Sequence, residues 1–266
     1  MGIPMTSAKQ VHETATTGFG ASAAAYAMSR PGYPAEIEAW LTKACRLWSG
    51  RTAVEIGAGT GKFTDRLIET QARVIAIEPV AAMRSELIKR HPDVQVLDGS
   101  GERIPLPDGI ADAVLCAQSF HWFANAGALT EIRRVLKPGG RLGLVWNLPD
   151  VRTAWVARWQ AILVPYEGDA PTFRNSLWRA AFPADGFGPL EEETIAHSTR
   201  TSPELAIVRF ALSLSYINVL PKAERDVVVA RLRALIENDP DLRGRDEVTV
   251  PWRTLVASCA SLPPVP

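Results

Sequence analysis

Cysteine is scarce in this chain: there are three in 266 residues, Cys45, Cys116 and Cys259, widely spaced, with no Cys-x-x-Cys pair and no His–Cys cluster. That pattern excludes a disulfide framework and a zinc site, and it fits a reducing, cytoplasmic setting. Net charge is lacking too. The 29 Lys plus Arg are matched by 29 Asp plus Glu, so no basic footprint meets a polyanionic backbone, and nucleic acid is not an expected partner. Long apolar runs are missing: none approaches the ~18 residues of a membrane span, and the first 20 residues lack the basic start and apolar stretch of a secretory signal. Internal repeats and low-complexity tracts are absent as well. What remains is an ordinary globular composition, 47% hydrophobic and 22% charged, long enough to bury a large core.

Along the chain, residues 1–20 are polar with no sustained period and read as a loose tail. Helix formers over 21–26 run into the turn Arg30-Pro31-Gly32-Tyr33-Pro34, after which Pro34 suits the first turn of a helix reaching about Leu47. From there strands and helices alternate. Residues 53–56, 73–78, 94–97, 111–117 and 141–146 read as strands, and residues 62–70, 80–90 and 124–136 as helices, the last stopped by Lys137-Pro138-Gly139-Gly140. Alternation of this kind predicts a doubly wound α/β domain with a mostly parallel sheet covered on both faces. Beyond Asn147 the spacing loosens into an aromatic-rich helical insert carrying Trp155, Trp159, Tyr166, Phe173, Trp178 and Phe182. Residues 190–200 read as a further strand, 203–217 and 222–236 as two helices, and 247–257 as a last strand in which Pro251 hints at a sheet edge or bulge.

The chemistry sits at the first strand-to-helix turn, Glu55-Ile56-Gly57-Ala58-Gly59-Thr60-Gly61. In an open parallel sheet this is where ligands bind, since glycines let a ligand approach the backbone amides at a helix N-terminus. Glu78 ends the second strand 78 − 57 = 21 residues after the first glycine, where an acidic side chain accepts the two ribose hydroxyls of a nucleoside. Loop and acid together describe a pocket for an adenosine-containing cofactor. They serve NAD as well as other nucleosides; the spacing G-x-G-x-G, with Lys62 next, departs from the dinucleotide loop G-x-G-x-x-G.

Four blocks in succession, AVEIGAGTGKFT at 53–64, VIAIEPVAAM at 74–83, DGSGERIPLPDGIADAVLCAQSFHWF at 98–123 and LKPGGRLGLVWN at 136–147, resemble the motifs of class I S-adenosylmethionine-dependent methyltransferases. RPGYP at 30–34 and SFHWF at 119–123 are similar to the small-molecule branch of trans-aconitate and quinone-type methyltransferases, as are residues 212–220 and 247–254. The resemblance implies a Rossmann-like, seven-stranded sheet with a helical insert before the last strands. Residues 21–50 would form lid helices, 51–148 the cofactor core, 149–188 an insert over the acceptor, and 189–266 the part completing the sheet, all in one domain. It also implies S-adenosylmethionine as cofactor, with S-adenosylhomocysteine as product, and a small-molecule acceptor. Carried over residue by residue, Glu55, Gly57, Ala58, Gly59 and Gly61 hold the methionine part, and Glu78 with Pro79 the ribose. Ser100, Gly101 and Glu102 stand at the adenine, where the family more often has an acidic residue followed by Ala at 100 and 101. Ala117 and Gln118 border the amino group, and Tyr26 and Arg30 belong to the lid.

Transfer of a sulfonium methyl is an in-line displacement, so the protein must exclude water and align donor with acceptor; no metal is required. His121 is the best-placed titratable group, as a general base, as an orienting group for an acidic acceptor, or as a packed wall. Trp122, Trp146 and Tyr216 are the acceptor-side candidates. The aromatics of the insert serve equally as core or as pocket lid, and Arg174, Arg179, Arg209 and Arg253 as anion contacts or solvated charges. O-methylation of a carboxylate or hydroxyl is the expected reaction; a nicotinamide-dependent oxidoreductase and a non-catalytic cofactor-binding protein are the rivals.

Overall fold

The computed structural model describes residues 30–168, 170–174 and 177–263; the stretch 1–29, with Tyr26, lies outside them. One sheet of seven strands runs in the order β3-β2-β1-β4-β5-β7-β6. The strands are β1 (Thr52–Ile56), β2 (Arg73–Ile77), β3 (Gln95–Leu97), β4 (Ala111–Ala117), β5 (Leu136–Pro149), β6 (Glu191–Thr201) and β7 (Val248–Ala260). The first five are mutually parallel, with registers such as Val54↔Ile75 and Glu55↔Leu115, whereas β7 is antiparallel to β5. The sheet is therefore mixed but mostly parallel. Its parallel strands read as near-continuous apolar runs because both faces are covered: every residue of β4 is buried.

Strand alternation sorts the core into two layers. Val54, Ile56, Val114, Cys116, Leu144 and Trp146 point to one face, against Leu129, Ile132 and Val135 of the helix Ala126–Val135. Ala53, Ala113, Leu115 and Val145 point to the other, against Ile37, Trp40 and Leu41 of the helix Ile37–Lys43 and against Phe63 and Leu67. Burial pushes the Cys45 and Cys116 thiols well up, which keeps both as inert core groups.

Chain reversal puts β2 on one side of β1 and β4 on the other. That is a topological switch point, and the crevice outside the carboxyl ends of β1 and β4 is where such a sheet receives its ligand. At the opposite end Asp112 ties the sheet together. Its buried carboxylate accepts from Arg51 (2.7 Å), from the Thr52 amide (2.9 Å) and from Lys137 (2.6 Å), and these bonds overcome the effect of burial and hold it below the usual carboxylate range.

Several elements depart from the periodic reading. Asn125 caps the helix Ala126–Val135 by accepting from the Ala128 amide (3.0 Å), so that helix starts two residues later than predicted. The segment 203–217 is not one helix. It passes from a π-helical turn, Glu204–Arg209, through Phe210–Leu212 to Ser215–Asn218. The Ser213 hydroxyl donates back to the Phe210 carbonyl (2.6 Å) and Leu214 is extended, so the helical ladder stops there. Pro251 is not at a sheet edge: β7 lies between β5 and β6, and just past the register end Pro149↔Trp252 the Pro251 carbonyl still accepts from the Asp150 amide (3.0 Å), so only the donor that proline lacks is lost there.

The chain separates into two compact units. The larger comprises Pro31–Asp150, Pro171–Thr199 and the chain from Pro251, and holds the parallel strands. The smaller comprises Arg30 with Val151–Ala170 and Arg200–Val250. In the smaller unit the helix Ala154–Leu163 stacks Trp155 on Trp159 and sets Trp159 edge-on to Phe210 (5.1 Å), while Arg158 pairs with Asp239 (2.6 Å).

Replacing Asp112 by Ala strands the Thr52 amide and two cations around a buried position. We expect a loss of about 1.5–3 kcal/mol of stability, the scale of a hydrogen bond to a charged group. Urea denaturation of both proteins checks this, and an unchanged midpoint refutes the tie.

Candidate active site

At the carboxyl end of β1 the chain turns on itself through Gly57, Ala58, Gly59 and Gly61. The Gly57 and Ala58 amides both donate to the Ile77 carbonyl (2.8 and 3.1 Å), which clamps the loop to the end of β2. Gly57 has φ +70°, and a Cβ there would lie 2.6 Å from the Ser119 Cβ, so only glycine fits. Ser119 completes this junction by donating to the Ile56 carbonyl (2.6 Å). On the far side of the loop His91 Nε2 lies 3.1 Å from the Gly61 carbonyl and 3.1 Å from Asp65.

Glu78 caps the arrangement from β2. Its carboxylate accepts from the Gly59 amide (2.8 Å) and the Val80 amide (2.8 Å). Two lone-pair positions remain on that carboxylate for ribose hydroxyls. Pro79 follows, and the carbonyls of Glu78 and Pro79 both receive Arg84 Nη1 (2.7 Å each). Glu55 lies inside β1, buried, accepting from the Thr64 hydroxyl (2.6 Å). Burial pushes its carboxyl up to about 8, opposed by the Thr64 bond and aided by the charges of Glu78 and Asp65. Burial also raises Glu78, against the two amide bonds.

Past β3, Ser100 and Arg103 exchange backbone hydrogen bonds (3.1 and 3.2 Å) in a tight turn. Glu102 accepts from Asn125 (2.6 Å), and Gly101 is packed so closely on the Phe123 ring that a side chain would overlap it. Past β4, Ala117 is buried, and Gln118 adopts φ +56° with its amide on the Val145 carbonyl (2.8 Å) and its side chain donating to the Asn147 carbonyl (2.8 Å). His121 and Trp122 follow in the 3₁₀ turn Phe120–Trp122, with ring centroids 5.3 Å apart.

The sheet thus brings Glu55, the glycine loop, Glu78, Pro79, Ser100–Glu102, Ala117, Gln118, His121 and Trp122 to one edge, the carboxyl ends of β1 to β4. Trp146 is fully buried beneath that edge, in tilted ring contacts with Trp178 (4.3 Å) and Phe173 (5.3 Å). Arg30 and Tyr216 belong to the smaller unit, where Arg30 donates to the Ser213 carbonyl (3.2 Å) and lies 4.7 Å over Phe210. Sequence reasoning passed over Thr64, Ser119, Phe123 and Asn147. Asn147 is buried, donates to the Gly32 carbonyl (2.9 Å), and accepts from Thr254 (2.5 Å), with His197 Nε2 at 3.4 Å. His197 borders a cavity of about 450 Å³ between residues 32–36 and 196–199, and burial lowers its pKa against the pull of Glu36.

Three observations test the fit of a cationic nucleoside cofactor. A Cβ at Gly59 would enter open space, so the loop backbone is accessible there. The Thr60 hydroxyl is buried with no partner among the described residues, an orphan that calls for a ligand atom. Glu55 and Glu78 are buried acidic side chains beside the loop, and a cation brought next to them favours their ionised form. The residues fit S-adenosylmethionine. No group of residues able to hold a metal ion occurs among the described residues, and no helix among them is long and apolar enough to cross a membrane.

Comparison with known proteins agrees with this geometry. Residues 54–144 match the family model described as a methyltransferase domain. An uncharacterized methyltransferase-like protein of Schizosaccharomyces pombe is 38% identical over 246 residues, spanning 92% of this chain and 96% of the relative. An uncharacterized methyltransferase of Mycobacterium tuberculosis is 35% identical over 237 residues, 89% and 93% of the two chains. The fold is shared with a candidate type II methyltransferase of Anaeromyxobacter dehalogenans, at TM-score 0.66 and 24% identity over 88% of this chain and 99% of the other. The chain belongs to the class I S-adenosylmethionine-dependent methyltransferases. It is an enzyme of that class, and S-adenosylmethionine is its methyl donor.

Glu55 makes stability depend on pH in a definite sense. Ionising near 4.5 when unfolded and near 8 when folded, it stabilises the fold fully below 4.5 and loses that contribution as pH rises through about 8. Glu55→Gln keeps an acceptor for Thr64 without the titration. We expect the stability of wild type relative to Glu55→Gln to fall between pH 4.5 and 8 and then level off; denaturation midpoints that differ by a constant over this range refute the buried neutral carboxyl.

Proposed function

We propose that the enzyme transfers the methyl group to an oxygen of a small molecule, a carboxylate or a hydroxyl. The observation that carries this reading is the turn at 119–123, which sets a half-buried His121 and Trp122 just beyond the carboxyl end of β4, with His121 two residues past Ser119. A polar group framed by Phe120, Phe123 and Trp122 suits a compact acceptor with one polar atom to align. The balanced charge of the chain offers no track for a polyanion. Similarity of RPGYP and SFHWF to the trans-aconitate and quinone-type branch points the same way.

In this reading Glu55, Gly57, Ala58, Gly59 and Gly61 hold the methionine end of the donor, Glu78 and Pro79 the ribose, and Ser100, Gly101 and Glu102 the adenine. Ala117 and Gln118 flank the donor's amino group, and Tyr26 and Arg30 belong to a lid over the cofactor. Residues 149–188 carry acceptor-side contacts, as do Trp122 and Tyr216, whereas Trp146, fully buried, backs the 119–123 turn through its indole N–H. Bound, the cofactor supplies an electrophilic methyl on a sulfonium. The chain's own part is to fix the acceptor on the line of displacement and keep water out.

Removing Glu78 takes away the ribose acceptor and the anchor of the Gly59 amide. We expect Glu78→Ala to weaken S-adenosylmethionine binding by about 1.5–3 kcal/mol, read by titration calorimetry; equal affinities would take Glu78 out of the site. For the acceptor, purified enzyme is offered a panel of small carboxylic acids, phenols, alcohols and amines, and the products are analysed. Methyl esters or ethers support the reading, and products methylated only on nitrogen, carbon or protein overturn it.

A further inference from the structure

The ladder between β2 and β3 ends at Ile77↔Leu97, so Glu78 and Asp98 are the first residues past its last rung. One side chain bridges the two strand ends there. Arg84, a turn into the helix Ala81–Arg90, sets Nη1 2.7 Å from the Glu78 carbonyl and 2.7 Å from the Pro79 carbonyl. It also takes the Asp98 carboxylate through Nη1 (3.1 Å) and Nη2 (3.0 Å). A planar guanidinium can hold both partners because its donors lie in a fixed fork, where a lysine ammonium is a single point of charge. The side chain is largely buried while Asp98 is largely exposed, 19% against 71%, so the arginine is the fixed member of the pair. Glu78 is the residue whose carboxylate accepts from the Gly59 and Val80 amides, and Asp98 leads within two residues into the turn closed by Ser100 and Arg103.

We propose that Arg84 is a positioning residue for the methyl donor: by fixing the end of β2 against the end of β3, it holds Glu78 at the spacing from the 100–102 turn that an adenosine group spans. This rests on the reading that Glu78 holds the ribose and residues 100–102 the adenine. The fork grips the backbone of Glu78 and not its carboxylate, so the two carboxylate oxygens stay where the Gly59 and Val80 amides set them. Charge adds a second effect. Burial raises the Glu78 carboxyl; the two amides and the Arg84 charge lower it, and the Asp98 charge raises it. On β1, Glu55 in turn feels the charge of Glu78. An ionised carboxylate offers ribose hydroxyls acceptors only, whereas a protonated one has given part of that capacity to its own proton. Without Arg84 the Asp98 charge acts on Glu78 unopposed, so Glu78 takes up a proton at higher pH than in wild type. The loss of affinity is then greatest on the acid side.

Titration calorimetry on the full chain tests this, with S-adenosylhomocysteine as the probe because it shares the adenosine part of the donor. Each variant is first checked for folding by thermal denaturation, and binding is measured from pH 6 to 8.5. We expect Arg84→Met to weaken binding by about tenfold or more at pH 6.5, and the ratio of its Kd to that of wild type to shrink as pH rises. Arg84→Lys keeps a charge beside Glu78 without the fork; it should lose affinity by about threefold or more with no pH trend in that ratio, and it carries the test if Arg84→Met fails to fold. The same Arg84 substitution is then made in a Glu78→Ala background, where no carboxyl remains to position or to titrate. Its effect there should be smaller by about threefold or more and should lose its pH trend. Equal losses in the two backgrounds would make Arg84 a general support of the fold and overturn the proposal. Wild-type affinity in the Arg84 variants, with Glu78→Ala weakened, would overturn it and leave the ribose reading standing. Wild-type affinity in Glu78→Ala would overturn the ribose reading and the role of Arg84 together.

Discussion

The cradle depends on one buried carboxylate. Glu78 accepts from the Gly59 amide of the β1 loop and from the Val80 amide that opens the next helix, so a single side chain joins two strand ends that are otherwise held by the Gly57 and Ala58 amides on the Ile77 carbonyl. Loop backbone in a water-poor crevice is stable only if its polar groups are satisfied. Glu78 satisfies one of them while leaving lone pairs for a ligand. Ser119, from β4, supplies the third support by bonding the Ile56 carbonyl and closing on Gly57. Three strands therefore converge on one glycine loop, and its shape is set before any ligand arrives.

What was legible in the sequence follows from how local each signal is. The alternating apolar strands β1 to β4 and their helices stand within about two residues of their predicted places, because burial of both sheet faces imposes a continuous apolar run. The placement of Glu78 opposite the glycine loop was legible too, since β1 and β2 are neighbours in parallel register. Signals that depend on distant partners were not. Nothing local announces that Asn147 meets Gly32, Thr254 and His197, or that Gly101 makes room for Phe123. The break at Ser213 escaped for a related reason: apolar periodicity continues through 203–217, while a hydroxyl competing for the Phe210 carbonyl ends the ladder. Pro251 misled because its missing donor falls beyond the register of β7 with β5, so an interior strand tolerates it.

Electrostatics at the carboxyl edge of the sheet are arranged around charge that the chain itself does not carry. Glu55 and Glu78 are buried, their ionisation suppressed by desolvation, and the charge of Glu78 raises Glu55 further. In isolation such a pair is held away from the charged form. A ligand bearing a sulfonium and an ammonium reverses the balance, because a nearby cation favours the carboxylate that burial opposes.

The 119–123 turn past β4 is held in another way, by the core rather than by backbone amides. His121 is joined to a core indole that only donates, so Nδ1 is its accepting nitrogen. A displacement at a sulfonium methyl needs little proton transfer when the nucleophile arrives ionised; it needs the nucleophile in line and desolvated. Trp146 is fully buried and packs on Trp178 and Phe173, so the imidazole is anchored to the rigid core. The same packing that builds the β5 face of the sheet thus fixes which nitrogen of His121 accepts the indole N–H, and ties the 119–123 turn to the core.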